Sequence, residues 1–307
     1  MIHRQLRTPV VFLIFNRADT TEKVFEAIRQ AAPPMLLVVA DGPRQDRLGE
    51  AERCAVTRAI IDRVDWDCKV LTNYSDINLG CRKRVSSGLA WAFEIVDEAI
   101  ILEDDCLPHP TFFQFCDELL ERYRYDQRVM SIAGTNFHFG NRKTEYSYYL
   151  SLYHDCWGWA TWKRAWQYYD ADMKLWPEML RSNFLINKLR SSRAAKYWFE
   201  KFQLAYQNRV DSWFYRWLLS CWLQSGLSVV PSVNMVSNIG FGSEATHTVG
   251  GVSPFANMQT EAINFPLEHP SFILQNVEAD NFTQSSRFYA ERPGFLARLK
   301  TKVKKIF

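Results

Sequence analysis

Short apolar runs alternate with stretches of helical periodicity through the first 135 residues. The runs predict buried strands at residues 10–15, 35–40, 69–71, 99–102 and 129–133. Between them, apolar residues at helical spacing predict helices over 48–64, 85–96 and 111–125. Asp19, with Glu22 three residues later, is typical of a capping box that begins a further helix. This alternation predicts an α/β fold, with a mostly parallel central sheet and helices on both faces.

The pattern changes after residue 135, where aromatic residues become dense. Nine of the eleven tryptophans lie between Trp157 and Trp222. We expect helices and loops there, with Trp198, Trp217 and Trp222 packed in a core. No internal repeat or linker separates the parts. The chain is therefore divided into an α/β half (1–135), an aromatic-rich half of the same domain (136–255) and a C-terminal extension (256–307).

Composition narrows the class of protein. Of the 307 residues 47% are hydrophobic, which excludes a mainly disordered chain. Lys and Arg number 37 against 34 Asp and Glu, and so small an excess does not suggest a nucleic-acid partner. Seven cysteines without metal-binding spacing predict reduced thiols in a cytoplasmic protein.

The stretch 295–307 is basic and amphipathic. No window of the sequence approaches 18 apolar residues and no secretory signal is visible, so no membrane span is predicted. Two interpretations of this stretch stay open: peripheral contact with an anionic inner-membrane surface, and a frayed, solvated helix.

Polar residues follow each of the first four predicted strands. They are Asn16-Arg17, Asp41-Gly42-Pro43-Arg44, Asn73 with Asn78-Leu79-Gly80, and Glu103-Asp104-Asp105. In an open α/β sheet, ligands bind beyond the carboxyl ends of the strands, so these residues should share one edge. Neither GxGxxG nor GxxxxGK[ST] occurs, which argues against a dinucleotide site and a P-loop.

The three adjacent carboxylates are the sharpest chemical signal. Glu103, Asp104 and Asp105 repel one another, and a hard divalent cation relieves that repulsion. The alternative is a solvated acidic turn before Pro108. Because Asp41 and Arg17 are expected at the same edge, the metal–diphosphate interpretation is favoured.

These residues also resemble a known family. The acidic trio after an Ile-Ile-Leu strand, followed by Pro108, Phe112 and Phe113, resembles the metal motif of GT-A nucleotide-sugar glycosyltransferases, including N-acetylglucosaminyltransferase I. Further motifs are similar to bacterial GT-A-like proteins described as hemolytic HlpA-like or family 2-like glycosyltransferases. They are Phe15-Asn16-Arg17, Asp41-Gly42-Pro43-Arg44, Asn78-Leu79-Gly80-Cys81, residues 156–162, Asn238-Ile239-Gly240-Phe241 and Ala245-Thr246-His247-Thr248, and the resemblance covers about residues 8–250.

The resemblance implies a role for each matching donor-site residue. Asp105 would bind Mn²⁺ or Mg²⁺, and Glu103 and Asp104 would place the donor sugar and ribose. The other implied donor contacts are Arg17 and Asp41 in the nucleotide pocket, with Asp41 near the uracil, Trp159 in the sugar and acceptor pocket, and His247 over the diphosphate.

The implied reaction is inverting transfer of a sugar from a UDP-sugar, with UDP-GlcNAc as the expected donor, to a glycan or lipid-linked acceptor. Asp211 is the candidate base, and one base without a covalent step predicts inversion. Arg82, at the start of a predicted helix, is expected either to assist phosphate binding or to lie on a solvated face. A sugar-phosphate nucleotidyltransferase and a catalytically decayed carbohydrate-binding protein remain alternatives.

Overall fold

The computed structural model describes residues 6–241 and 253–289. Ten strands are β1 (Val10–Ile14), β2 (Met35–Ala40), β3 (Lys69–Tyr74), β4 (Glu98–Glu103), β5 (Cys106–Pro108), β6 (Val129–Ala133), β7 (Tyr148–Ser151), β8 (Trp159–Trp162), β9 (Leu227–Pro231) and β10 (Val236–Asn238). Eight of them form one sheet in the order β3-β2-β1-β4-β8-β6-β9-β7, and β10 pairs with β5 in a separate two-stranded sheet.

Helices fill most of the connections between the strands. They are α1 (Ala18–Ala31), α2 (Glu50–Ala59) with a 3₁₀ turn (Ile60–Arg63), α3 (Gly80–Ile95), α4 (Thr111–Arg122), α5 (Lys163–Trp166), α6 (Trp176–Met179), α7 (Phe184–Leu189), α8 (Ser192–Tyr206), α9 (Phe214–Leu223) and α10 (Val277–Thr283) with a π-helical turn (Gln284–Phe288). Within the described ranges, no helix has both the length and the hydrophobicity of a membrane span.

Six strands of the main sheet run in one direction, and β7 and β8 run against them. The predicted mostly parallel sheet is therefore confirmed. The prediction of helices and loops after residue 135 is wrong for β7, β8 and β9, which belong to the same sheet. The boundaries drawn at residues 135 and 255 stay predictions.

Alternate residues of β1 supply the cores on the two faces of the sheet. Val10, Phe12 and Ile14 pack with residues of α1 and α4, whereas Val11 and Leu13 pack with residues of α3 and α9. Because side chains alternate along a strand, a run without polar residues is buried on both faces. Helices thus cover both faces, as predicted.

A third core lies in the aromatic-rich half, where α8 and α9 pack together. Trp198, Trp217 and Trp222 are fully buried, which confirms their assignment to packing. All seven cysteines lie within the described residues, and none is in a disulfide.

The beginning of α1 differs from its prediction. The helix starts at Ala18, so Arg17 and not Asp19 is the N-cap residue. The Thr21 hydroxyl donates to the Arg17 carbonyl at 2.7 Å, and Glu22 forms an ion pair with Arg63 instead of completing a capping box. Arg17 therefore stands at the junction of β1 and α1, with its side chain free to reach the sheet edge.

Candidate functional site

A cleft of about 720 Å³ lies at the carboxyl ends of the parallel strands. The strand register accounts for its position, because Ile14 of β1 pairs with Ala40 of β2 and Leu13 pairs with Glu103 of β4. The loops that follow these strands consequently meet at one edge. The predicted site residues among the cleft's lining are Arg17, Asp41, Glu103, Asp104, Asp105 and Asp211.

Arg17 is the cation that pairs with the acidic trio. Its Nη2 donates to Oδ1 of Asp104 at 2.5 Å and to Oδ2 of Asp105 at 2.9 Å. Asp104 is also held by the Phe15 backbone N–H at 3.2 Å. Both aspartates are buried, with 4% and 8% of their surface exposed, so the two ion pairs are shielded from water.

Glu103 is the trio's uncompensated member. In the described part of the chain its carboxylate has neither a hydrogen bond nor an ion pair, although it lines the cleft. Burial raises the pKa of Glu103 above its ordinary value, and the charges of Asp105 and Asp104 raise it further. Burial also raises the pKa of Asp104, against the opposing effect of Arg17. Arg17 therefore neutralises the trio only in part.

Residues 238–241 form a strap against the ion pair, and sequence reasoning assigned them no role. The Asn238 amide donates to Oδ1 of Asp105 at 3.3 Å, and the Ile239 N–H donates to the Asp105 carbonyl at 2.8 Å. A Cβ on Gly240 would lie 2.2 Å from Asp105 Oδ2 and 2.6 Å from Arg17 Nη1. The motif that resembles the glycosyltransferases contains these residues, and this was the only sequence signal for them.

Asp41 organises a turn at the edge of the cleft. Its carboxylate accepts backbone hydrogen bonds from Gly42, Leu79 and Gly80 at 2.9–3.0 Å and one from the Asn78 amide at 3.2 Å. Burial raises the pKa of Asp41, and these backbone donors oppose that shift. With four donors on two oxygens, Asp41 shapes this wall of the cleft mainly by fixing the turn over residues 78–80.

A buried glutamate, which no sequence motif predicted, arranges the adjoining wall of the cleft. Glu50 is fully buried and accepts hydrogen bonds from Arg44 and from the Asn16 amide, at 2.5 Å and 2.9 Å for the shortest contacts. Arg44 in turn lies over the Phe15 ring, 5.5 Å from its centroid. Arg47, a further cation on the lining, was also missed.

Asp211 reaches the cleft from the loop between α8 and α9. Its oxygens accept the backbone N–H groups of Cys81 at 2.9 Å and Arg82 at 3.1 Å, which belong to the first turn of α3. A Cβ on Gly80 would lie 2.7 Å from Asp211 Oδ2, so the absence of a side chain there makes room for the carboxylate. Asp211 keeps lone pairs that can accept a further proton donor.

Two predicted site residues of the described ranges, Arg82 and Trp159, are not brought into the cleft. Arg82 donates to Asn208 at 2.7 Å and is absent from the lining. Trp159 is fully buried beneath the site, stacked on Trp213 with ring centroids 5.5 Å apart. His247 lies outside the described residues. Trp157, rather than Trp159, lines the cleft, with its ring edge-on to Phe241 at 5.6 Å.

The chemistry of the acidic trio suits a hard divalent cation, but the resting arrangement does not present a preformed cage. In residues 6–241 and 253–289 no group of three or more His, Cys, Asp or Glu side chains is arranged to hold a metal ion. Asp105 is engaged by Arg17, whereas Glu103 offers an unpaired carboxylate. A cation held by both residues would share Asp105 with the Arg17 guanidinium or displace it.

Solved structures that match the chain include three distant ones. No protein-family model and no curated protein matches the chain. A mannosyltransferase from Pyrobaculum calidifontis in complex with GDP-Man and Mn²⁺ matches at 13% identity and TM-score 0.34, over 50% of this chain and 44% of that one. Apo mouse xyloside xylosyltransferase 1 matches at 9% identity and TM-score 0.34, over 69% and 81% of the two chains.

A UDP-glucose pyrophosphorylase complexed with UDP-glucose also matches, at 12% identity and TM-score 0.26, over 48% of this chain and 64% of that one. The chain spans less than half the length of the mannosyltransferase chain. All three likenesses are weak, so none of them assigns an activity to this chain.

Proposed function

We propose that the chain is a glycosyltransferase that takes a sugar from a nucleotide-diphospho-sugar and passes it, with inversion, to a hydroxyl of a glycan or lipid-linked acceptor. One observation carries the proposal: Arg17, three consecutive carboxylates and Asp211 line a single cleft at the carboxyl edge of the sheet. The volume of the cleft lies within the usual range of small-molecule sites, about 300–1,000 Å³. A UDP-sugar is the donor class that the sequence resemblance favours, with UDP-GlcNAc as first candidate.

The donor's diphosphate needs positive charge, and three arginines at the cleft are the candidates for it, although Asp104 and Asp105 hold Arg17 and Glu50 holds Arg44. Arg17, Arg44 and Arg47 line the cleft on the side of β1 and β2. Arginine is well suited to phosphate because its planar guanidinium can donate two hydrogen bonds at once. The turn held by Asp41 fixes the neighbouring wall, where we place the nucleoside.

Asp105 and Glu103 are the residues that would hold Mn²⁺ or Mg²⁺. When bound, such an ion supplies positive charge that stabilises the diphosphate as it leaves. Asp105 Oδ2 is already bonded to Arg17, so the ion and the guanidinium compete for that oxygen. A displaced Arg17 would be free to pair with the diphosphate, and Asp104 would remain on the ribose side.

Asp211 takes the role of general base. As the acceptor oxygen bonds to the anomeric carbon, Asp211 accepts the proton of that hydroxyl. The bond between the anomeric carbon and the diphosphate oxygen breaks, and its electron pair leaves with the diphosphate. A single displacement of this kind inverts the anomeric configuration. Trp157 offers an apolar ring at the cleft for the C–H face of a sugar.

The test is to incubate the full chain and Mn²⁺ with a panel of UDP-sugars and a panel of glycan and lipid-linked acceptors, and separately with UTP and a panel of sugar 1-phosphates. A transferase releases UDP from its own donor, and the new linkage seen by NMR has inverted configuration. Release of pyrophosphate from UTP would assign a nucleotidyltransferase instead. Binding of UDP-sugars without any turnover would indicate a decayed carbohydrate-binding protein.

A further inference from the structure

A basic lobe stands out in the aromatic-rich half, and we define it as residues 174–199. It contains six basic residues and one acidic residue, Glu178, whereas the rest of the chain has 31 basic and 33 acidic residues. The lobe thus carries an excess of five positive charges in 26 residues that span α6, α7 and the first half of α8, and the stretch 295–307 is the other basic segment of the sequence. So local an excess creates a positive field on one part of the surface.

Four of the six basic side chains are exposed and can pair with an external anion. Lys174, Arg181, Arg190 and Lys196 have no ion pair with any residue of the described ranges. The other two are engaged elsewhere. Lys188 donates to the Trp222 carbonyl at 3.0 Å, and the Arg193 guanidinium lies 3.9 Å from the centroid of the Tyr289 ring.

Large apolar side chains are exposed among these charges. Leu175 is 48% exposed, Leu180 43%, Phe199 42% and Ile186 38%. No residue of α7 is fully buried, so this helix lies on the surface of the lobe. Exposed apolar residues interleaved with Lys and Arg are the pattern of segments that lie at a membrane interface.

The lobe is anchored to the rest of the protein. The Trp176 ring lies 6.1 Å from Phe199, and its indole N–H donates to Gln203 at 2.9 Å. Helix α8 continues from the lobe to residue 206, and Asp211 follows it at the cleft. The lobe ends at Phe199, and the seven remaining residues of α8 rise about 10 Å along the helix axis toward the loop that carries the candidate base.

We propose that the basic lobe docks on an anionic lipid bilayer, with its cations at the phosphate groups and Leu175, Leu180, Ile186 and Phe199 in the interfacial region. Charge complementarity selects this partner. A second copy of the chain would bring two positive lobes together, and a nucleic acid would leave the exposed apolar residues unused. Docking would hold the cleft near acceptors carried by lipids.

The test is co-sedimentation of the full chain with vesicles of phosphatidylcholine alone and of phosphatidylcholine with phosphatidylglycerol. We expect binding only to the anionic vesicles, weakened by salt. Arg181→Gln with Arg190→Gln should reduce partitioning roughly thirty-fold, because each basic residue near an anionic bilayer contributes a factor of roughly five. Leu180→Ser with Ile186→Ser should reduce it as well.

Matched controls use exposed residues elsewhere: Lys23→Gln with Lys69→Gln for charge, and Val56→Ser for apolar surface. These should bind as the wild type does. Hydrogen exchange on the wild type should show vesicle-dependent protection across residues 174–199, a readout that does not depend on how the variants fold.

Three results would overturn the proposal: equal binding by the lobe variants and the controls, protection confined to residues 295–307, or retention by single-stranded DNA in place of vesicles. The assay uses neither donor nor acceptor, so its failure would leave the proposed glycosyl transfer untouched.

Discussion

The Arg17 guanidinium donates a hydrogen bond to Asp105 at 2.9 Å, and the same nitrogen reaches Asp104 at 2.5 Å. Glu103 lies directly before these two aspartates, so three carboxylates follow one another in the sequence. Burial on its own would lower the pKa of Arg17, but the two aspartates raise it overall, so the guanidinium stays charged. Arg17 is therefore the internal counter-ion of the candidate metal site.

Arg17→Gln should destabilise the metal-free protein and make it responsive to divalent cations. Removing one partner of a buried ion pair leaves an uncompensated charge and lowers the free energy of unfolding by about 3–5 kcal/mol. Because Arg17 is partly exposed, we expect a loss at the lower end of this range. Mn²⁺ should restore more stability to this variant than to the wild type. Urea unfolding with and without Mn²⁺ measures both effects.

Arg29→Gln is the matched control, because Arg29 forms an exposed pair with Asp65. It should leave the midpoint of unfolding and its response to Mn²⁺ unchanged. An Arg17→Gln protein as stable as this control would show that Arg17 is not the counter-ion of the trio.

Gly240→Ala should weaken metal-dependent nucleotide binding. The added Cβ would lie 2.2 Å from Asp105 Oδ2, so the carboxylate has to shift, at a cost of about 1–3 kcal/mol. Calorimetric titration of UDP in the presence of Mn²⁺ measures the change. Gly140→Ala is the control for binding, since a Cβ there meets nothing within 4 Å and the strain at its φ of +80° falls on a residue outside the cleft lining. Equal UDP affinity in the two variants would mean that the strap does not position Asp105.

Asp211→Asn should slow sugar transfer by a factor of about 10²–10⁴, the usual contribution of a general base, while the affinity for the donor stays the same. The amide oxygen can still accept one of the two N–H groups of α3, so the fold is retained. Steady-state kinetics should show a fall in kcat with little change in donor KM. Asp172→Asn, an exposed acidic residue outside the cleft, serves as control. An unchanged kcat in Asp211→Asn would remove Asp211 as the base.

Two buried histidines should make the fold sensitive to acid. Burial lowers the pKa of His154 to about 3 and that of His138 to about 4. Between the unfolded value of 6.5 and these folded values the unfolded chain binds more protons, so stability is lost as the pH falls through this window. Burial also raises the pKa of Asp280 to about 6, and it raises the pKa of Glu103, Asp104 and Asp41. Each of these carboxyl groups binds more protons in the folded chain, so each opposes the contribution of the histidines between its unfolded and folded pKa.

His154→Gln should lower the slope of the free energy of unfolding against pH by up to about 1.4 kcal/mol per pH unit, because one titrating group is removed. Urea unfolding at several values between about pH 7 and about pH 4 gives the slope. His109→Gln, at a partly exposed position, is the comparison. A slope in His154→Gln as steep as in the wild type would show that His154 is not buried in its neutral form.

The sequence predicted the first half of the fold because polar turns there separate apolar runs from helical patterns. It missed β7, β8 and β9 because every residue of β7 and β8 is buried, so no polar alternation marks them. Short aromatic segments such as Trp159–Trp162 fit a strand and a buried helix equally well by periodicity.

At the site, the meeting of Arg17, Asp41 and the acidic trio followed from the rule that parallel strands end at one edge. The pairing of Arg17 with Asp105 did not follow, because the partner of a long side chain depends on packing that the sequence does not reveal. Asn238 lies 133 residues from Asp105, and only the pairing of β10 with β5 brings the two together.

The most direct test of the central claim is calorimetric titration of UDP into the wild-type chain and into Asp105→Asn, each with and without Mn²⁺. We predict that Mn²⁺ raises the affinity of the wild type for UDP by roughly 5- to 150-fold, the usual range for coupling between two ligands. Asp105→Asn should lose that dependence, whereas Asp67→Asn, an exposed control, should keep it. An affinity for UDP that Mn²⁺ does not change in the wild type would contradict a metal–diphosphate site at the end of β4.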